Sequence, residues 1–132
     1  MNMFVEVELK ELIDHPLINS PVLVLKERKG KRYLSINIGL IEANTIANEI
    51  EGVSAPRPMP HDLLCQVIKQ LDANVKSVLI VDGRDNVYFA RIEIEKQKQL
   101  ISIDARPSDA ITIALKYKIP IFIKDELLKL PE

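Results

Sequence analysis

The segment Pro107–Tyr117 is apolar almost all the way round, through Ala110, Ile111, Ile113, Ala114 and Leu115. A helix of that kind has no wet side and has to be enclosed by other elements. Pro107 suits a first helical position, where the missing N–H costs nothing. The rest of the chain must therefore supply covering surface, and most of it reads as strands.

Residues 3–9 alternate apolar and acidic side chains, the pattern of a half-buried strand. A turn-rich stretch follows at 14–21. Two β-branched runs, 22–27 and 32–38, flank Lys29-Gly30 as a hairpin. Residues 41–51 have helical spacing, with Ile46, Ala47, Ile50 and Val53 expected on one buried face. Pro56, Pro58 and Pro60 then force an extended loop. A second helix is expected over 61–72, with Leu64, Val67, Ile68 and Leu71 as its inner stripe. Residues 75–82, 87–95 and 100–104 read as three antiparallel neighbours, joined by turns at 83–86 and 96–98. A short strand at 120–123 and a helical turn at 125–129 end the chain. Strands, two helices, strands, helix, strand is the order of an α+β domain. We expect one domain over 1–132, with a mostly antiparallel or mixed sheet packed by two to three main helices.

A length of 132 residues suits one such domain. Eighteen basic against nineteen acidic residues leave a net charge of −1, unlike a protein that binds polyanions strongly and without specificity. The absence of tryptophan also argues against tight single-strand binding by stacking. One cysteine, Cys65, excludes an internal disulfide and points to a reducing compartment. The acidic start lacks the form of a signal peptide, and no apolar run reaches membrane-spanning length, so a cytoplasmic location is expected.

Two segments echo each other: Arg57-Pro58-Met59-Pro60-His61-Asp62 and Asp104-Ala105-Arg106-Pro107-Ser108-Asp109. Each puts a guanidinium before a helix and a carboxylate in its first turn. Helix starts carry unpaired N–H groups and partial positive charge, which suit a phosphate, and arginine recognises the same group with two donors. Nearby carboxylates suit Mg²⁺ or Mn²⁺, which prefer oxygen ligands and assist phosphoester hydrolysis. The plainer reading treats Asp62 and Asp109 as ordinary helix-start acids, or as cross-braces for Arg106 and Arg57. Asp104 ends a strand expected to be buried, where a carboxylate needs a partner. His61 is a candidate general acid or base, or simply a residue at a helix start.

Cys65, one turn after His61, reads better as a small buried side chain than as a nucleophile. Lys26, Arg28, Lys29, Lys31 and Arg32 crowd one hairpin tip, either a backbone-tracking patch or a solvated turn. Asp82-Gly83-Arg84-Asp85-Asn86 reads as a hairpin turn, since Arg84 spoils a calcium loop.

The stretches from Arg57 to Leu64 and from Ile103 to Ile111 resemble the two signature segments of the bifunctional nuclease family. Gly39-Leu40-Ile41-Glu42-Ala43, Val87-Tyr88-Phe89-Ala90 and Pro120-Ile121-Phe122-Ile123 fit in order, so the likeness runs from about residue 3 to 128. Pro60 departs from the pattern, standing where a small hydroxyl residue is expected. The resemblance implies a homo-oligomeric α+β protein that cleaves RNA and DNA with a divalent metal, Mg or Mn. On that reading His61, Asp62, Asp104 and Asp109 are catalytic, with His61 moving protons. Arg57, Arg106 and Ser108 hold the substrate phosphate, and Asp104, Asp109 and Glu42 hold the metal. The rival reading is a non-catalytic regulatory or oligomeric module that binds a small anionic ligand in the same place.

Overall fold

The computed structural model describes residues 3–15, 17 and 20–132. Its strands are β1 (Phe4–Ile13), β2 (Val22–Glu27), β3 (Tyr33–Asn37), β4 (Asn74–Arg84), β5 (Val87–Lys96), β6 (Gln99–Ala105) and β7 (Ile121–Lys124). Its helices are α1 (Leu40–Glu51), α2 (Pro60–Gln70) and α3 (Pro107–Tyr117), and Asp125–Leu127 adds a 3-10 turn. The expected α+β class holds, with most segments within two residues of those the periodicity marks; β1 runs on to Ile13, past the expected end at residue 9. Part of the turn-rich stretch at 14–21 lies outside the described residues.

The seven strands form one mixed sheet in the order β3-β2-β1-β7-β4-β5-β6. Only β4 and β7 run parallel; every other neighbouring pair is antiparallel. Two hairpins turn on Asp85-Asn86 and Gln97-Lys98, whose φ angles of 51° and 65° are positive in both turns. Two central residues with positive φ match the right-handed strand twist, which is why such short loops close hairpins.

One sheet face carries Val78, Ile80, Ala90, Ile92, Ile94 and Ile123, all buried, against the α3 residues Ala110, Ile111, Ile113 and Ala114. The all-round apolar helix is thus enclosed as expected. The other two helices differ from expectation. In α1 the buried residues are Ala43 and Ile46, while Ile50 and Val53 are exposed. In α2 only Cys65 is buried, with Ile68 partly so; Leu64, Val67 and Leu71 face outward. The physical reason is coverage: α3 takes much of the sheet, so α1 lies against α3, α2 touches α3 and β4, and each buries only a narrow line. Strand β6 is a further correction. It is an edge strand exposed along nearly its whole length, so Asp104 is a solvated carboxylate and needs no partner. Among the described residues no helix is long and apolar enough to cross a membrane.

Ile111→Ala should cost about 2–5 kcal/mol in urea unfolding, the range for truncating a fully buried aliphatic side chain. Val67→Ala, in an equally apolar position by sequence, should change stability by no more than about 0.5 kcal/mol. Equal losses at the two sites would contradict this account of α2.

Candidate functional site

The N-terminal ends of α2 and α3 meet. Nε2 of His61 lies 2.8 Å from Oδ1 of Asp109, joining the two Arg-Pro segments across 48 residues of chain. A carboxylate accepts and cannot donate, so Nε2 carries the proton and Nδ1 is left as the acceptor of the neutral ring. Arg106 grips the same carboxylate from within its own segment, Nε to Oδ2 at 2.8 Å and Nη2 to Oδ1 at 3.1 Å. Its Nη1 also stands 3.7 Å from Oε2 of Glu42 at the start of α1. Glu42 can fold back there because residue 39 is glycine; its carboxylate occupies the space a Cβ would need.

A second cluster lies one helical layer further along. Lys116, near the end of α3, donates to Glu49 of α1 and to Asp62 of α2. The other oxygen of Asp62 accepts the backbone N–H of Met59 at 2.9 Å, which caps α2 where Met59 has no capping side chain. Asp62 is therefore a structural brace as much as a site residue. Lys116 and Glu49 went unread in the sequence, because a lysine near the end of an apolar helix and a glutamate inside a polar one are ordinary at their positions.

These groups line an open groove of about 1320 Å³ between α1, α2, the 52–59 loop and the end of β6. Arg57 lies on its exposed loop wall and, among the described residues, pairs with no carboxylate. Asp104 lies on the rim at the end of β6. Ser108 lines the groove from the start of α3 and is only 6% exposed. Cys65 is buried as expected; burial pushes its thiol up, and the Tyr117 hydroxyl beside it is pushed up to about 12, mainly by burial. A buried, protonated thiol is a poor nucleophile.

The expected metal ligands do not form one set. Arg106 stands between Glu42 and Asp109, contacting both, while Asp104 sits on the rim. Among the described residues no three His, Cys, Asp or Glu side chains gather closely enough to hold an ion. As arranged, this donor set does not fit a divalent cation that needs several oxygens at once. At the basic hairpin tip, Arg32 is bound by Glu27 and Asp125, and Arg28 lies 3.7 Å from Glu6. Much of that patch is internally neutralised.

The Lys116 ammonium, with the Met59 N–H, holds the Asp62 carboxyl below the usual range. Burial works to raise Asp109, but Arg106 and His61 outweigh it and hold that carboxyl low too. Burial likewise works to lower Lys116, and its two carboxylates more than offset it. Depressed carboxyls stabilise the fold above their unfolded pKa of about 4, and that contribution is lost as pH falls through their folded values. The raised lysine stabilises fully below about 10.4 and loses its contribution only at higher pH. The two clusters should therefore be intact from about pH 5 to 10 and weaken in acid. Lys116→Met leaves Glu49 and Asp62 facing each other unpaired. Its Tm deficit against wild type should be largest near pH 7 and shrink toward pH 4 as Asp62 takes up a proton. A deficit independent of pH would contradict the charge assignment.

The family model described as the bifunctional nuclease domain matches residues 23–131. An uncharacterized protein of Mycobacterium tuberculosis is 42% identical over 110 residues, covering 83% of this chain and 65% of its own length. "Bifunctional nuclease 1" of Arabidopsis thaliana is 29% identical over 112 residues, 81% of this chain and 34% of its own. The protein of the same name in Oryza sativa subsp. indica is 29% identical over 104 residues, 75% and 31%. This chain thus spans about two thirds of the mycobacterial relative and about one third of the plant ones. The matched region contains both Arg-Pro segments and every residue of the groove described above. The chain belongs to the bifunctional nuclease domain family.

Proposed function

We propose that the groove binds and hydrolyses phosphodiesters in RNA or DNA, with His61 as the proton-transfer group. One observation carries the reading: the two signature segments converge at the His61–Asp109 contact on a groove that Arg57 and Arg106 also line. Asp109 fixes the ring and its tautomer, as an orienting carboxylate does for a catalytic histidine. Nδ1 takes a proton from water as the water oxygen bonds to phosphorus. The P–O ester bond breaks, and the departing alkoxide takes its proton from solvent. Arg57, which pairs with no carboxylate among the described residues, meets the phosphate first; Arg106 can join it by loosening its hold on Glu42.

A bound Mg²⁺ or Mn²⁺ would have to displace Arg106 from Glu42 and Asp109, so metal enters this reading as a rival of the guanidinium. The same arrangement supports a second reading. Asp62 and Asp109 are already ion-paired, which suits a non-catalytic module that holds a small anion. Both readings are set in the cytoplasm and include self-association, since apolar side chains crowd the outer faces of α2 and β6.

The test is cleavage of labelled single-stranded RNA and DNA by purified protein with Mg²⁺, Mn²⁺ or EDTA. His61→Ala should lower kcat by about 10²–10⁴ while far-UV circular dichroism is unchanged. Two phosphate-contacting arginines should give a slope of log K against log salt of about −1.4 on single strands, near −0.7 for each cation. Undiminished cleavage in His61→Ala would remove this residue from the chemistry. No cleavage by wild type in any arm would leave the anion-binding module.

A further inference from the structure

The groove is poor in the charge that a long strand would need. Its carboxylates are Glu42, Glu49, Asp62, Asp104 and Asp109. Its cations are Arg57, Lys69, Arg106 and Lys116, so with His61 neutral the lining carries a net charge of −1. Lys116 is held between Glu49 and Asp62, and Arg106 between Asp109 and Glu42. Among the described residues, Arg57 and Lys69 are the exposed groove cations that pair with no carboxylate. A surface that tracks a polynucleotide sets cations along the whole backbone. Here a third phosphate would meet no free cation.

The two free cations are set apart along one helix. Arg57 precedes α2, and Lys69 stands in its last turn, eight residues after His61. A rise of 1.5 Å per residue puts about 12 Å of helix axis between His61 and Lys69. The flexible four-carbon stem of a lysine lets Lys69 meet the next phosphate of a strand whose first phosphate lies at His61. The groove also offers apolar surface: Ile41 is 77% exposed, Val53 56% and Met59 53%. Side chains of this kind cover the flat face of an unpaired base, whereas a duplex keeps those faces stacked inside itself. The volume of about 1320 Å³ is somewhat more than a pocket for one drug-sized ligand, which reaches about 1000 Å³.

We propose that the substrate of this groove is a short single strand of about two or three nucleotides, not a polymer. One phosphate lies at His61 and Arg57, the next at Lys69, and the bases lie against Ile41, Val53 and Met59. This substrate class rests on the phosphodiester reading given above. Strands of that length are what polynucleotide-cleaving nucleases leave behind, so a reaction of that class must supply them.

Isothermal titration calorimetry on the full chain is the test, with phosphorothioate single strands that resist hydrolysis: a dinucleotide, a trinucleotide, a hexanucleotide and a strand of about twenty. Affinity, divided by the number of registers a strand offers, should rise severalfold from dinucleotide to trinucleotide and then stay level or fall. A duplex of the longest strand should bind at least tenfold more weakly than the strand alone. Lys69→Glu, a change on an exposed side chain, should weaken the trinucleotide at least threefold more than the dinucleotide. Affinity per register that keeps climbing past three nucleotides, or a duplex bound as tightly as its single strand, would overturn the substrate class. Equal losses with Lys69→Glu would overturn the second phosphate position. Cleavage is read separately on unmodified strands. If wild type cleaves nothing and keeps this length profile, the length limit stands while hydrolysis falls; if it cleaves and the profile climbs, hydrolysis stands while the length limit falls.

Discussion

Helix α3 has to be dry, and the rest of the molecule is arranged by that need. Its apolar residues occupy the middle of the sheet, so α1 settles against α3, and α2 touches both α3 and β4 without lying flat on the strands. Contacts of that kind bury little, one residue in α2 and two in α1. What holds these helices in place is then disproportionately polar: Lys116 reaches Glu49 and Asp62, and Asp109 reaches His61. Half-buried ion pairs of this sort add orientation more surely than they add stability. The groove is the space left between three helices held at their ends by charge.

This explains why the same residues support two functional readings. A site assembled from mutually neutralising groups is well positioned and weakly charged. Arg106 spends its guanidinium on Asp109 and leans toward Glu42, and Asp62 is committed to Lys116 and Met59. Among the described residues, the groove's groups outside these pairs include one imidazole nitrogen of His61, the exposed guanidinium of Arg57, Lys69 and the rim carboxylate of Asp104. Such a set can move a proton beside a phosphate without gripping a polyanion, in keeping with a net charge of −1.

Much of the fold was legible because periodicity reports burial. The β-branched runs became strands, the positive-φ turns fell where turn residues cluster, and the enclosed helix over Pro107–Tyr117 was found to the residue. Burial of α1 and α2 was misread for a reason periodicity cannot reveal: an apolar stripe faces a core only if uncovered core remains, and α3 had taken it. The convergence of the two Arg-Pro segments was assumed from their likeness and turned out to be real. The partners were different: Asp62 binds Lys116, and among the described residues Arg57 pairs with no carboxylate. Asp104 was expected to be buried because β6 looks like an inner strand by composition; its place at the edge depends on strand order, which local sequence does not encode.

The central claim is that the two segments form one anion-binding site through His61 and Asp109. The most direct measurement is an amide NMR titration with a dinucleotide whose bridging phosphate resists hydrolysis. The account predicts coincident shifts in residues 57–62 and 104–109, both lost together in Asp109→Asn. Shifts confined to one segment, or to the basic hairpin at 26–32, would contradict it.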